Sequence, residues 1–305
     1  MKRTLARLPA MVAVALGLLA TTSLGSAQAQ GTTSKPSTGT RKGDAKPQPP
    51  KWPELTRQQK DTGEKWLALL ISPKEEIVAK AKDQLEAVGL GFGDRLLRSV
   101  KDSKYNNVNG HLFEVLDRIV KPEHAALLGL HAKHKSIAAR RYVLKRLFVF
   151  GRPDSAGVFR TARKDKDIEV AYYAALGLVK TTRDLEALEA VFQRCSKDGM
   201  WEELGDEVTR NLRQTRSDVY LPWIRKHLAK DDTIAQATTL RFMRAIAPAQ
   251  AKTMVRPFLD SQHNILKKEA INTLRVIVDG KDPLPPEKIT VFMVISMAKE
   301  WKKRI

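Results

Sequence analysis

The chain has 305 residues, with 54 Lys and Arg against 34 Asp and Glu and a formal net charge of +20. One cysteine rules out an internal disulfide framework, and an apolar content of 42% rules out a chain disordered throughout. So basic a chain is expected to be drawn to anionic surfaces: phospholipid headgroups, acidic envelope glycans or nucleic acid.

Residues 1–29 read as a secretory signal peptide. Lys2, Arg3 and Arg7 form a positive start, Leu8 to Ala20 an apolar run of thirteen residues, and Ser26-Ala27-Gln28-Ala29 a small-residue site with the cut after Ala29. Thirteen residues fall short of the ~20 a spanning helix needs, which makes an uncleaved anchor the lesser alternative. No paired arginines precede the run and no cysteine follows it, so the expectation is general export without lipid attachment, to the periplasm or the cell exterior. Residues 30–50 are dominated by Pro, Gly, Ser, Thr and Lys, bury too little to offset their ordering entropy, and are expected to be a disordered linker.

From residue 51 to residue 305 the composition shifts to Leu, Ala, Val, Lys and Arg, and strand-like alternation is nearly absent, so one all-α domain is expected. Residues 54–71 read as a capping helix with Leu55, Trp66, Leu67, Leu69 and Leu70 turned inward. Ser72-Pro73-Lys74-Glu75 reads as a capping box for the next helix, and Gly89-Leu90-Gly91-Phe92-Gly93 as a turn between helices. A pattern then recurs. Lys101-Asp102 precedes Val108, Leu112, Val115, Leu116 and Ile119, and Lys164-Asp165 precedes Ile168, Val170, Ala174, Ala175 and Leu178. Lys197-Asp198 precedes Trp201, Leu204, Val208 and Leu212, and Lys230-Asp231 precedes Ile234, Leu240, Met243 and Ile246. Asp260 precedes Ile265, Ala270, Ile271, Leu274 and Ile277. Steps of three and four residues mark one helical stripe per segment.

Second helices are expected to start at Pro122, Asp154, Asp184, Asp218 and Ala249, spaced 32, 30, 34 and 31 apart, and again at Pro286-Glu287. Proline lacks a donor that the first turn would orphan, and Asp or Ser accepts from free first-turn amides. Tyr172, Tyr173 and Trp201 are expected in the core, and Cys195 half-buried near a helix end. Ile289 to Ala298 is too short to span a bilayer and reads as a buried closing helix, with a docking or membrane-surface helix as the alternative.

Two helices per roughly 31 residues, with Asp at the junctions, resemble the HEAT-repeat family in its shorter bacterial form. The residues carrying the resemblance are Asp165-Lys166-Asp167-Ile168-Glu169-Val170, then Ala174-Ala175-Leu176-Gly177, then Leu185-Glu186-Ala187-Leu188. Val170-Ala171 stands where the family usually has Val-Arg. The resemblance covers most of residues 72–279 and implies an α-solenoid of about six to seven stacked antiparallel helix pairs, with a long surface for extended partners.

Lys101, Lys133, Lys164, Lys197 and Lys230 are 32, 31, 33 and 33 residues apart, and Arg163, Arg194 and Arg225 lie close by. Stacked units would align them along one edge as a linear site for a polyanion. Cations at helix C-termini also complement the helix macrodipole, which accounts for the pattern without a ligand, and Asp102, Asp165, Asp198 and Asp231 would blunt the field. His124, His131 and His134 are expected on or just past one helix, His124 and His131 within ~20° of each other. No cysteine or nearby carboxylate completes a tetrahedral metal set, so they read first as surface or partly packed residues. His111, His227 and His263 stand alone. No glycine-rich phosphate loop, His-Glu-x-x-His or Gly-x-Ser-x-Gly is present. The expectation is therefore a non-catalytic binding or scaffolding protein of the bacterial envelope, without cofactor, whose partner is a protein or an anionic polymer or surface. Nucleic-acid binding, possible for basic HEAT-like proteins including a type acting on alkylated DNA, is disfavoured by the signal peptide. A metal-dependent enzyme is the further alternative.

Overall fold

The computed structural model describes residues 50–197, 199–285 and 288–305. The signal peptide, its cleavage site, nearly all of the linker, Asp198 and the Pro286-Glu287 start lie outside the described residues. Among the described residues the chain is all-α, without a strand.

The first two helices are α1 (Arg57–Leu69) and α2 (Glu75–Val88), followed by α3 (Gly93–Ser99). Long helices then alternate with shorter ones. The long ones are α4 (Asn109–Ile119), α6 (Ile137–Phe150), α8 (Ile168–Thr182), α10 (Met200–Leu212), α12 (Thr233–Ile246) and α14 (Asn264–Ile277). Between them run α5 (Ala125–Gly129), α7 (Ala156–Ala162), α9 (Leu185–Cys195), α11 (Leu221–Leu228) and α13 (Lys252–Val255), and α15 (Val291–Arg304) comes last. Except for α9, each of these five shorter helices is entered through a single 3₁₀ turn, at Pro122–His124, Pro153–Ser155, Asp218–Tyr220 and Ala249–Ala251. The expected helix starts at 122, 154, 184, 218 and 249 coincide with these turns or with the cap of α9.

Side chains fix those starts. Asp167, Asp184 and Asp232 accept from first-turn amides of α8, α9 and α12 at 2.8–3.1 Å. Each such cap stabilises its helix by about 1 kcal/mol. The capping box expected at Ser72 is not formed. Helix α2 begins only at Glu75, which leaves Ser72 two residues ahead of the cap residue Lys74, and the Ser72 hydroxyl accepts from the Lys74 amide at 3.2 Å instead. The reciprocal box lies one helix earlier: the Gln59 amide donates to Thr56 Oγ1 at 3.2 Å and the Thr56 amide to Gln59 Oε1 at 2.9 Å. Gly89, at φ 87°, ends α2 in the left-handed region and opens the turn that leads into α3.

Neighbouring long helices pack on one another, α2 on α4, α6 on α8, α10 on α12 and α12 on α14, and each short helix packs on the long one after it. One buried apolar cluster runs through the contacts, from Leu67 on α1 to Trp301 on α15. Gly177 illustrates the fit: a Cβ there would overlap the Phe159 ring of α7, so the missing side chain lets α7 settle onto α8.

Four burial expectations need correction. Ile168, Ile234 and Ile265, each the first apolar residue of its stripe, are exposed at 54%, 65% and 42%. They sit in the first turn, before the helix meets its neighbours. Trp201 is half-buried at the rim of a groove, and Tyr173 is half-buried while Tyr172 is buried. Cys195 is fully buried at the end of α9, and burial pushes its thiol up to about 12. Helix α15 is only half a closing helix. Val294, Ala298 and Trp301 are buried against the body, but Val291, Phe292 and Ile295 face outward. No described helix is long and apolar enough to cross a membrane.

Candidate functional site

The lysines of the expected edge sit in the turns ahead of the long helices. Lys101, Lys133, Lys164 and Lys197 are exposed and Lys230 is half-exposed. Among the described residues none of the five enters an ion pair. The acids expected to blunt their field are partly engaged elsewhere. Asp165 takes a two-pronged guanidinium contact from Arg140, Nε to Oδ2 at 2.8 Å and Nη2 to Oδ1 at 3.0 Å, and so leaves Lys164 unneutralised. The three arginines differ: Arg163 pairs with Glu186 at 2.7 Å, Arg194 lies over the Tyr172 ring, and Arg225 is exposed.

Two of the lysines share a groove. A cavity of about 630 Å³ between the ends of α5 and α7 is lined by Lys133, His134, Lys135, Arg140, Lys164 and Asp165, over a floor that includes Gly129 and Gly157. Arg140 builds it. While its Nε and Nη2 hold Asp165, its Nη1 donates to the carbonyls of His134 at 3.0 Å and Lys135 at 3.3 Å. One side chain from the start of α6 thus pins the 131–136 turn to the turn before α8, with Lys133, Lys135 and Lys164 on the same opening. Arg140 and Asp165 cancel, so the lining carries three uncompensated cations. A Cβ on Gly157 would meet nothing within 4 Å, and Leu130, Val158 and Ala162 add apolar groups to the lining. Burial lowers the His134 pKa against the contact with the Ser136 backbone, and the charges of Lys101 and Arg140 lower it further. Four residues after Lys133, Lys164 and Lys230 come Ile137, Ile168 and Ile234, exposed at 49%, 54% and 65%. Each of these three lysines is therefore followed four residues later by an exposed aliphatic side chain.

No family model and no curated protein matches the chain. Among solved structures, a crystal structure of an engineered protein from the Northeast Structural Genomics Consortium is similar at 16% identity, over 72% of this chain and 98% of that one, with a TM-score of 0.28. A superposition that loose carries no argument about fold or function.

The histidines do not share one helix. Helix α5 spans only Ala125–Gly129, and backbone bonds of the tighter i→i−3 kind turn the chain through Leu130, His131 and Ala132. His124 folds back to accept the Lys121 amide on Nδ1 at 3.1 Å. His131 and His134 are ring neighbours at 6.2 Å, with His131 Nε2 at 3.1 Å from Asp94 and His134 Nδ1 accepting from the Ser136 amide. Burial, outweighing Asp94, lowers the His131 pKa. Among the described residues no three such ligands converge.

Two features escaped the sequence reading. His227, which looked solitary, is buried with Nε2 at 2.8 Å from Glu189, whose Oε2 also accepts from Trp223 Nε1 at 2.9 Å. Phe192 packs edge-on against both rings. The second feature is a groove of about 1030 Å³ across α10, α12 and α14. At its base Glu269 accepts from Arg241 at 3.1 Å and from Arg244, and Arg244 and Glu269 are both almost fully buried. Only the spacing hinted at either, since Glu189 to Trp223 and Arg241 to Glu269 are each about one repeat apart.

Proposed function

We propose that the protein is a non-catalytic binding scaffold of the bacterial envelope, an α-solenoid of six to seven HEAT-like helix pairs that holds an anionic polymer or surface along its basic edge. The observation that carries the reading is the groove in which Lys133, Lys135 and Lys164 converge without acidic partners, while Asp165, the one carboxylate among its lining residues, is taken by Arg140. Macrodipole complementation explains why cations stand near helix ends, but it does not explain why three of them share one opening. The regular packing of α6 on α8 and of α10, α12 and α14 in succession supports the stacked arrangement, and the leader-like sequence of residues 1–29 supports export.

The test is binding of the protein to duplex DNA, an acidic polysaccharide and lipopolysaccharide across salt concentrations. Selective binding to an envelope polyanion that persists at ~0.15 M salt, where the Debye length is ~8 Å, is the expected result. Tighter binding to DNA than to every glycan would replace this reading with the nucleic-acid one. Uniformly weak binding that vanishes together with salt would overturn both.

A further inference from the structure

Helix α15 presents a face that the body does not cover. Val291, Phe292, Met293 and Ile295 are exposed at 57%, 85%, 39% and 45%, while Val294, Ala298 and Trp301 pack inward on the other side. At ~100° per residue, Phe292, Ile295, Lys299 and Lys303 fall within about 80° of one another and form one outward stripe. The stripe is apolar over the first turns and basic over the last ones. Lys299 and Lys303 are exposed, and neither enters an ion pair among the described residues. Lys302 and Arg304, off that line, hold Asp260 and Asp279 at 2.6 Å and so anchor the helix to the body. An 85%-exposed phenylalanine on a well-anchored helix is a standing cost in water, since apolar surface there gains nothing until it is covered.

We propose that this stripe docks the protein on an anionic phospholipid surface, with Phe292 and Ile295 entering the boundary of headgroups and acyl chains and Lys299 and Lys303 meeting lipid phosphates. An apolar wedge with cations on the same face is the arrangement in which both contributions act at once, and neither alone gives stable attachment. The long Lys stems lie along the apolar boundary while their ammonium groups stay with the headgroups. Charge complementarity selects this occupant over a second copy of the chain: a copy on this face would bring another Lys299 and Lys303, and the one acid exposed on this helix, Glu300, lies about 60° off the edge of the stripe. The site is separate from the basic edge, so it stands or falls independently of the proposed function.

The experiment is co-sedimentation with vesicles of phosphatidylcholine alone or with one quarter phosphatidylglycerol, at ~0.15 M salt. The protein is expected to bind the anionic vesicles and not the neutral ones. Phe292→Asp with Ile295→Asp should lower binding at least about tenfold. Lys299→Glu with Lys303→Glu should lower it at least about twentyfold, at about fivefold per cation near such a surface. All four positions are solvent-facing, so circular dichroism and the unfolding midpoint should match the parent protein, and polyanion binding at the basic edge should be unchanged. The proposal is overturned if the parent protein ignores anionic vesicles. It is equally overturned if both double variants bind them like the parent while Lys133→Glu with Lys164→Glu abolishes binding, which would put the lipid on the edge.

Discussion

Replacing Glu269 by Gln removes one negative charge from the base of the larger groove and leaves its shape nearly intact. Glu269 and Arg244 have side chains 8% and 7% exposed, and Arg241 is 17% exposed. Glu269 is therefore the carboxylate that Arg244 meets away from water, while Arg241 shares it and also reaches the more exposed Glu202 at 3.7 Å. Burial already lowers the Arg244 pKa against the pull of Glu269, and Arg244 Nε has no hydrogen-bond partner. Breaking a buried pair by removing one partner costs about 3–5 kcal/mol, because the other charge stays buried without compensation. Gln retains one acceptor, so the lower end applies, about 3 kcal/mol, a large share of the 5–15 kcal/mol a domain has in total. At about 2–4 °C per kcal/mol for a domain of this size, the midpoint of thermal unfolding should fall by about 6–12 °C. Urea unfolding followed by circular dichroism gives the same difference independently. Pairing Glu269→Gln with Arg244→Met should recover most of the loss, since an apolar residue of similar volume needs no counter-charge. A single-variant loss below about 1 kcal/mol, or no recovery in the pair, would refute the argument and show that water reaches Arg244 through the groove.

Gly177→Ala should destabilise by about 1–3 kcal/mol, although alanine favours helix, because the added methyl would overlap the Phe159 ring; a more stable variant in urea unfolding would show that the ring moves aside freely. His227 is held below its ordinary pKa by burial, against Glu189 and with Lys230 and Lys226 adding to the depression. Its contribution to stability is thus complete above the unfolded value near 6.5 and is lost as pH falls from there through the folded value. His131 and His134 shift the same way, so unfolding free energy should drop between about pH 7 and 5, and His227→Gln should flatten the slope. A pH-independent stability over that range would contradict the buried neutral imidazole.

What the sequence reveals here is what depends on near neighbours. Asp184 announces a helix start because a cap is made within three residues, and Pro122 and Pro153 because proline suits a first turn, whereas after Lys164-Asp165 and Lys230-Asp231 the capping residue is Asp167 or Asp232 and not the junction acid itself. The lysine spacing is legible because it is a property of the sequence itself. Partnerships between units are not. That Asp165 serves Arg140 and not Lys164 depends on the start of α6 meeting the turn before α8, 25 residues further along the chain. The three histidines read as lying on or just past one helix, but α5 stops at Gly129 and tighter turns carry the chain through Ala132. Likewise the apolar run from Ile289 to Ala298 reads as buried, because composition cannot say that only one side of α15 finds a neighbour.

The measurement that bears most directly on the central claim is a comparison of two charge reversals of equal size. Lys133→Glu with Lys164→Glu alters the groove; Lys60→Glu with Lys74→Glu changes net charge by the same amount at exposed positions on α1 and just before α2. Affinity for the polyanion that binds best at ~0.15 M salt is then measured for both, with unfolding midpoints as the control for folding. The scaffold reading expects the groove pair to lose at least about tenfold and the distant pair to lose little, because screening confines each cation to its own neighbourhood. Equal losses would mean that the polyanion responds only to net charge, and that the convergence of Lys133, Lys135 and Lys164 is not a site.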